Sequence, residues 1–385
     1  MTKIETLLQT LCPNGVEYKN LKDCCHILDK KRQPISKENR KFGQYPYYGA
    51  NGVQDYVSDY IFSGSFVLVG EDGSVLTKQG TPVVTWAEGD IWVNNHAHII
   101  SEKDGVLLRY LFYFLQTVNI REKIHGNIPK LTGEDFKNIK IPVPPLAVQG
   151  EIVRILDNFT ELTAELTAEL TARQKQYEYY RETLLKFDEN TAGICYMPLG
   201  EIVKFKNGKG HEKDIKIDGK YIVVNSKFVS TEGTVKKYTD TQLCPVYKND
   251  ILMVMSDLPN GKALAKCFFV DENNTYSLNQ RICALTIKKD IKVNSKFLFY
   301  YLNRNKQLLK YDNGCDQTNL KKEDILKVSI PIPSYEKQQE IAKILNTFNN
   351  LLTNISQGLP AEIAARQRQY EHYRDELLNF EKVAL

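Results

Sequence analysis

No apolar run in this chain of 385 residues approaches the ~20 residues that a membrane span requires. The first ten residues carry charge and alternation where a secretory signal would carry an apolar core, so a cytoplasmic protein is expected. Eight cysteines (12, 24, 25, 195, 244, 267, 283 and 315) form no CxxC pair and keep no regular spacing. That pattern argues against a disulfide framework and reads as reduced thiols. Neither charge dominates: 51 Lys+Arg face 47 Asp+Glu, and a net +4 is too small a surplus to mark a nucleic-acid binder by itself. A phosphate-cradling GxxxxGK[ST] is also missing, and Gly208-Lys209-Gly210 and Asn260-Gly261-Lys262 read as turns. Zinc would need ligand pairs at short fixed spacing; Cys24-Cys25-His26 and His96-Ala97-His98 come nearest, and neither has a further ligand in view. No metal site is assigned.

What the chain does have is itself, twice. Residues 141–159 (IPVPPLAVQGEIVRILDNF) recur as 330–348 (IPIPSYEKQQEIAKILNTF), with nine of nineteen positions identical. Residues 173–187 (RQKQYEYYRETLLKF) recur as 366–380 (RQRQYEHYRDELLNF), with ten of fifteen identical. The repeat is about half the chain. Between these segments lie two stretches, 1–145 and 188–333, that match each other only at their edges. Short β-branched and aromatic runs punctuated by Gly, Asn and Asp (60–68, 81–86, 221–225, 250–255 and 281–287) predict strands. Helices are predicted near 106–116 and 295–309, so each stretch is α+β.

The repeated segments predict long helices. Ile152, Leu156, Phe159, Thr163, Leu166, Leu170, Arg173, Tyr177, Tyr180, Leu184 and Phe187 step alternately by four and three, and nine of the eleven are apolar or aromatic. That spacing is a coiled-coil seam. The second arm keeps it from Ile341 to Phe380 with one four-residue stutter near Gly358 and Pro360, where a break or kink is expected. The first arm spans roughly 63 Å at 1.5 Å per residue, so the second is expected to run back beside it. The expected architecture is two similar α+β domains joined by two long helices in an antiparallel coiled coil with internal pseudo-two-fold symmetry. Two divergent heads on one spacer suit a ligand with oppositely oriented half-sites at fixed separation, as duplex DNA offers. The alternative is a coiled-coil dumbbell that scaffolds two different proteins.

The paired I-P-[VI]-P-x4-Q-x-E-I and R-Q-[KR]-Q-Y-E-x-Y-R segments resemble those of specificity (S) subunits of type I DNA restriction–modification systems. Thr163–Leu166 and Thr167–Leu170, the tandem Thr-Ala-Glu-Leu units, resemble the spacer repeats of one branch of that family. The resemblance implies target-recognition domain 1 at 1–145, a spacer helix at 146–187, target-recognition domain 2 at 188–333 and a second spacer helix at 334–385. It further implies that each domain reads half of a bipartite, asymmetric site in double-stranded DNA. The helices would dock two methyltransferase subunits, with motor-nuclease subunits optionally added. S-adenosylmethionine would belong to the first partner, ATP and Mg to the second, and no cofactor to this chain. The Asn/Asp-Pro-Pro-aromatic motif of an adenine methyltransferase is missing, since Pro144-Pro145 lie between Val143 and Leu146. A non-catalytic subunit is expected.

Base reading needs Arg, Lys, Asn, Gln, Ser or Thr at groove edges, with further cations on phosphates. In the first domain the candidates are Arg32, Lys41, Tyr48 and Asn51, the last two in an aromatic, glycine-punctuated loop, followed by Asn94, Asn95 and His96. In the second they are Lys209, Lys213, Asn225, Lys227, Ser256, Asn260, Lys262, Asn279, Gln280 and Arg281. Asn95-His96 and Asn279-Gln280 occupy similar places before a terminal strand and helix. Gln174, Gln176 and Arg181, repeated as Gln367, Gln369 and Arg374, are the candidates for partner docking.

Overall fold

The computed structural model describes residues 2–187, 193–211, 213–258, 261–312, 314–353 and 358–382. The chain divides into two compact units, one comprising Met1–Ala168 with Ala361–Leu385, the other Glu169–Pro360.

In the first unit, six strands lie in the order 26–27, 97–101, 62–70, 84–93, 42–49, 52–57. Side chains alternate across a strand, and the sheet uses both faces. Val67, Val69 and Ile100 pack with the helix Leu108–Leu115, while Phe66, Leu68 and Ile99 join Phe62, Ile91 and Val93 on the other side. The loop expected at 45–52 is part of a β-hairpin, 42–57. Its ladder shifts register between Phe42 and Tyr45 and again between Tyr47 and Tyr48, so period-two alternation never develops in the sequence.

The second unit repeats the pairing with one break. Strands 203–207, 282–287, 251–254 and 267–269 form a sheet in that order, and a three-stranded sheet orders 238–239, 221–224, 276–278. Strand 84–93 of the first unit pairs antiparallel with 62–70 and, at its end, parallel with 42–49. Its counterpart is split: 267–269 takes the antiparallel partner and 276–278 the parallel one. The stretch 295–309, where one or two helices are expected, holds two, Ser295–Leu302 and Lys306–Leu309.

The arms are the helix Leu146–Leu184 and, for the second, Tyr335–Thr353 followed by Leu359–Leu377. Pro360 stands in the first turn of the last helix, where its missing N–H costs no helical bond. Each unit combines a globular domain, the start of the helix that follows it and the end of the other arm. In the first unit, Ile152 and Leu156 share a core with Tyr370 and Leu377. In the second, Ile341 and Leu345 share one with Tyr177 and Leu184. Within each unit the two helical segments therefore run antiparallel. No helix among the described residues is long and apolar enough to cross a membrane.

Candidate nucleic-acid interface

At one end of the first unit's sheet, two turns from distant parts of the sequence meet. The Asn94 backbone N–H donates to the Tyr48 carbonyl at 3.0 Å, and its side-chain amide donates to Gln54 Oε1 at 3.3 Å. This sets the 94–96 turn beside the hairpin turn at Ala50-Asn51, which Gly52 closes with a φ of +82°. The Glu71 N–H donates to the His96 carbonyl at 2.8 Å. His96 Nδ1 pairs with the Asp72 carboxylate. Asn51, Asn95 and Lys41 are exposed, although Lys41 lies at the far end of its hairpin strand.

The second unit builds the same node. The Asn279 N–H donates to the Val224 carbonyl at 3.0 Å, and the Met255 N–H donates to the Arg281 carbonyl at 2.8 Å. Asn94 and Asn279 are thus structural counterparts, as are His96 and Arg281. Four segments converge there. The 207–209 loop crosses so closely that a Cβ on Gly208 would lie 1.9 Å from the Asn279 carbonyl oxygen. His211 N–H donates to Asn279 Oδ1 at 3.1 Å, and Gln317 Nε2 donates to Ser256 Oγ at 2.8 Å. Lys209, Lys213, Lys227, Lys262, Gln280 and Arg281 are exposed around these segments. Asn260 lies outside the described residues.

Several candidates are committed to the fold instead. Arg32 donates to Glu71 Oε2 and to the Ala97 carbonyl, each at 2.6 Å, and to the Asp29 carbonyl at 2.9 Å. With its guanidinium so occupied, it is an internal cation and not a ligand-facing one. Tyr48 is core, packed among Phe62, Phe66 and Ile91, and burial pushes its hydroxyl pKa up. Asn94 is buried and spends its side chain on Gln54 and on the His96 N–H. Asn225 caps the helix Ser226–Ser230 by accepting from the Phe228 N–H at 2.9 Å. Ser256 is buried against Gln317.

His98, the partner of His96 in the candidate metal pair, points into the protein, whereas His96 is exposed. It is buried, stacked on Phe136 at 4.2 Å, with Nδ1 2.7 Å from Asp29 Oδ2 and Nε2 3.1 Å from the Leu131 carbonyl. Burial pushes the Asp29 carboxyl upward, but His98, the Ile99 N–H and Arg32 together hold it below its ordinary value. Asp29, Glu71 and His98 cluster closely enough to suggest a cation site. The Arg32 guanidinium already supplies that charge, ion-paired to both carboxylates. Burial raises the Cys24 and Cys25 thiols to about 11 and about 12, so these thiols stay protonated near neutral pH.

On the arms, Gln174, Gln367 and Gln369 are exposed. Gln176 and Gln369 each accept from an arginine three residues earlier, Arg173 at 3.1 Å and Arg366 at 3.3 Å. Arg181 donates to the Asn303 carbonyl and, at 3.4 Å, to the Tyr300 carbonyl, so it satisfies the C-terminal end of the helix Ser295–Leu302. Arg374 ion-pairs with Asp375 at 2.7 Å and lies against Tyr370. The docking candidates thus include one arginine bound to its own domain.

The model of the type I restriction modification DNA specificity domain matches residues 13–173 and, a second time, 194–365. The chain belongs to this family. A Haemophilus influenzae chain, provisionally named a type I restriction enzyme specificity subunit, is 36% identical over 99% of this chain and 100% of its own length. The EcoR124I/EcoR124II specificity subunit of Escherichia coli is 35% identical over 73% of each chain. The crystal structure of a type I restriction–modification S subunit from M. genitalium has the same fold, with a TM-score of 0.62 at 17% identity over 94% of this chain and 96% of that one.

In this member of the specificity family, sequence reasoning missed Gln54, Asp72, His211 and Gln317, which hold the turns from outside the polar clusters. Their neighbours in the chain carry no motif. Only the strand order brings them to the node.

Proposed function

We propose that this chain is the non-catalytic specificity subunit of a type I restriction–modification complex, reading a bipartite, asymmetric sequence in double-stranded DNA. The observation that carries the reading is the repeated node. Equivalent backbone hydrogen bonds hold equivalent turns in the two units, yet the side chains they present differ: Asn51, Asn95 and His96 in one, Lys227, Gln280 and Arg281 in the other. One scaffold displaying two chemistries suits two half-sites of different sequence.

On this reading 1–145 and 188–333 are the target-recognition domains, and 146–187 with 334–385 are the spacer helices. The Thr-Ala-Glu-Leu units set spacer length at roughly 6 Å per four residues. Exposed Gln174, Gln367 and Gln369 contribute to docking two methyltransferase subunits, which bind S-adenosylmethionine. Motor-nuclease subunits, with their ATP and Mg, add to that core, and the complex works in the cytoplasm. Missing methyltransferase and P-loop motifs support a chain without chemistry of its own.

The test is sequencing of methylated adenines in DNA from cells expressing this chain with its methyltransferase partner, against cells lacking only this chain. A bipartite motif with a fixed gap, present only with this chain, is expected. An active methyltransferase whose pattern ignores this chain would overturn the proposal in favour of a protein scaffold.

A further inference from the structure

Among the described residues, six non-glycine residues adopt a left-handed backbone: Glu232, Asn249, Ala265, Asn274, Arg281 and Arg304. Asparagine tolerates that region, which accounts for two of them. Ala265 is buried core. Glu232 pairs with Lys266 at 3.1 Å, and Arg304 donates to the Leu264 carbonyl at 3.3 Å. Arg281 is left over. Its φ is +69°, it is exposed, and among the described residues its side chain makes no hydrogen bond, ion pair or ring contact.

The backbone around it is fixed from several sides. Asn279 is bonded to Val224 and to His211, and the Arg281 carbonyl accepts from Met255. The nearby carboxylate of Asp257 is taken up by the N–H groups of Leu258, Ala263 and Leu264. A glycine or asparagine would hold this turn with less strain, so the fold gives no reason for a long cation here. A free guanidinium on a rigid turn is instead built to meet a ligand outside the chain. Its planar fork matches the O6/N7 edge of guanine in the major groove.

We infer that Arg281 reads a guanine in the half-site bound by the second domain, from the position that His96 occupies in the first. The inference rests on the DNA-reading function proposed above. Two variants keep the turn: Arg281→Gly and Arg281→Asn both suit a left-handed residue, so their unfolding midpoints should match or exceed that of the unaltered chain.

Each variant is assembled with the methyltransferase partner, and methylated adenines are sequenced. The unaltered chain is expected to give a motif with a guanine in the second domain's half. Both variants should relax the preference for that guanine by about 10–100-fold and leave the other half unchanged. A motif that stays intact while methylation falls evenly at every site would make Arg281 a phosphate contact and overturn the inference. An unaltered pattern, or a second half-motif without guanine, would overturn it as well. A chain-independent pattern from the unaltered protein would instead sink the DNA-reading function itself.

Discussion

Phe159 stacks on Tyr373 with ring centroids 5.4 Å apart and planes 24° apart, and Phe348 stacks on Tyr180 at 5.3 Å and 29°. Phe159 and Phe348 are repeat equivalents, as are Tyr180 and Tyr373, so each unit joins its helices through the same pair. The same exchange closes each domain. Tyr18 donates to the Phe380 carbonyl and Tyr196 to the Phe187 carbonyl, both at 3.0 Å. Tyr113 donates to Asp157 at 2.5 Å in one unit, and Tyr300 donates to Asn346 at 3.4 Å in the other. Identity between the two halves is thus concentrated where the halves do the same mechanical job.

Two double-mutant cycles follow from the stacked pairs. Removing both Phe159 and Tyr373 should show a coupling of about 0.5–1.5 kcal/mol beyond the single alanine changes, and Phe348 with Tyr180 should match it. Phe159 with Tyr180, which lie in different units, should be additive. Urea unfolding of the five single and double variants needed for the first comparison and its control would decide. A coupling near zero within the stacked pair would remove the stack as a seam element.

Gln149 and Gln338 explain the glutamine of the repeated Pro-rich motif. Gln149 is buried, accepts from the Leu107 N–H at 2.9 Å and donates to the Pro144 carbonyl at 2.7 Å and the Gly105 carbonyl at 3.1 Å. Gln338 accepts from the Asn294 N–H and donates to the Pro333 carbonyl, each at 2.9 Å. Each glutamine latches the helix start to the loop that opens its domain's aromatic helix. Gln149→Ala should cost about 2–4 kcal/mol because buried backbone groups lose their partners, and Gln338→Ala should cost less because fewer are stranded. Equal, small losses in chemical denaturation would refute the latch.

The repeat, the helical arms and the α+β character were legible because helix seams and duplicated motifs are local, periodic signals. The turns before strands 97–101 and 282–287 were legible too, as polar clusters in matching places. Burial of the candidates was not. Arg32, Tyr48 and Asn94 look ligand-facing in sequence, and only the packing around a six-stranded sheet turns them inward. Arg181 reads as an exposed arm residue until the helix Ser295–Leu302 ends beside it. The hairpin at 42–57 stayed hidden behind its two bulges.

Glu151 links stability to pH. Hydrogen bonds from Arg154 and then Lys3 draw its carboxyl from the ordinary 4.5 down to about 2. A depressed folded-state pKa gives stability that is fully present above the unfolded value and fades as pH falls toward the folded one. The stability difference between the unaltered chain and Glu151→Gln should therefore be largest near neutral pH. It should shrink as pH falls from about 4.5 toward about 2. Urea midpoints measured across that range test this, and a difference that ignores pH would show that the charge is not what matters.

Arg32 provides the sharpest separation of scaffold from reading surface. It bridges Asp29 and Glu71 beneath the 94–96 turn, with its side chain only 11% exposed. Removing it leaves Asp29 with His98 and the Ile99 N–H, and Glu71 with His98 and Lys130. Breaking an ion pair from one side leaves the other charge uncompensated. Arg32→Ala should therefore lower stability by about 3 kcal/mol and leave the methylated motif unaltered wherever the complex still assembles. Arg281→Gly should do the reverse, with stability held and one base relaxed. Both properties are measured on the same preparations, by denaturation and by sequencing of methylated adenines. If Arg32→Ala folded as stably as the unaltered chain and changed a base in the first half-motif, Arg32 would belong to the reading surface, and the first domain's interface would have to be redrawn around it.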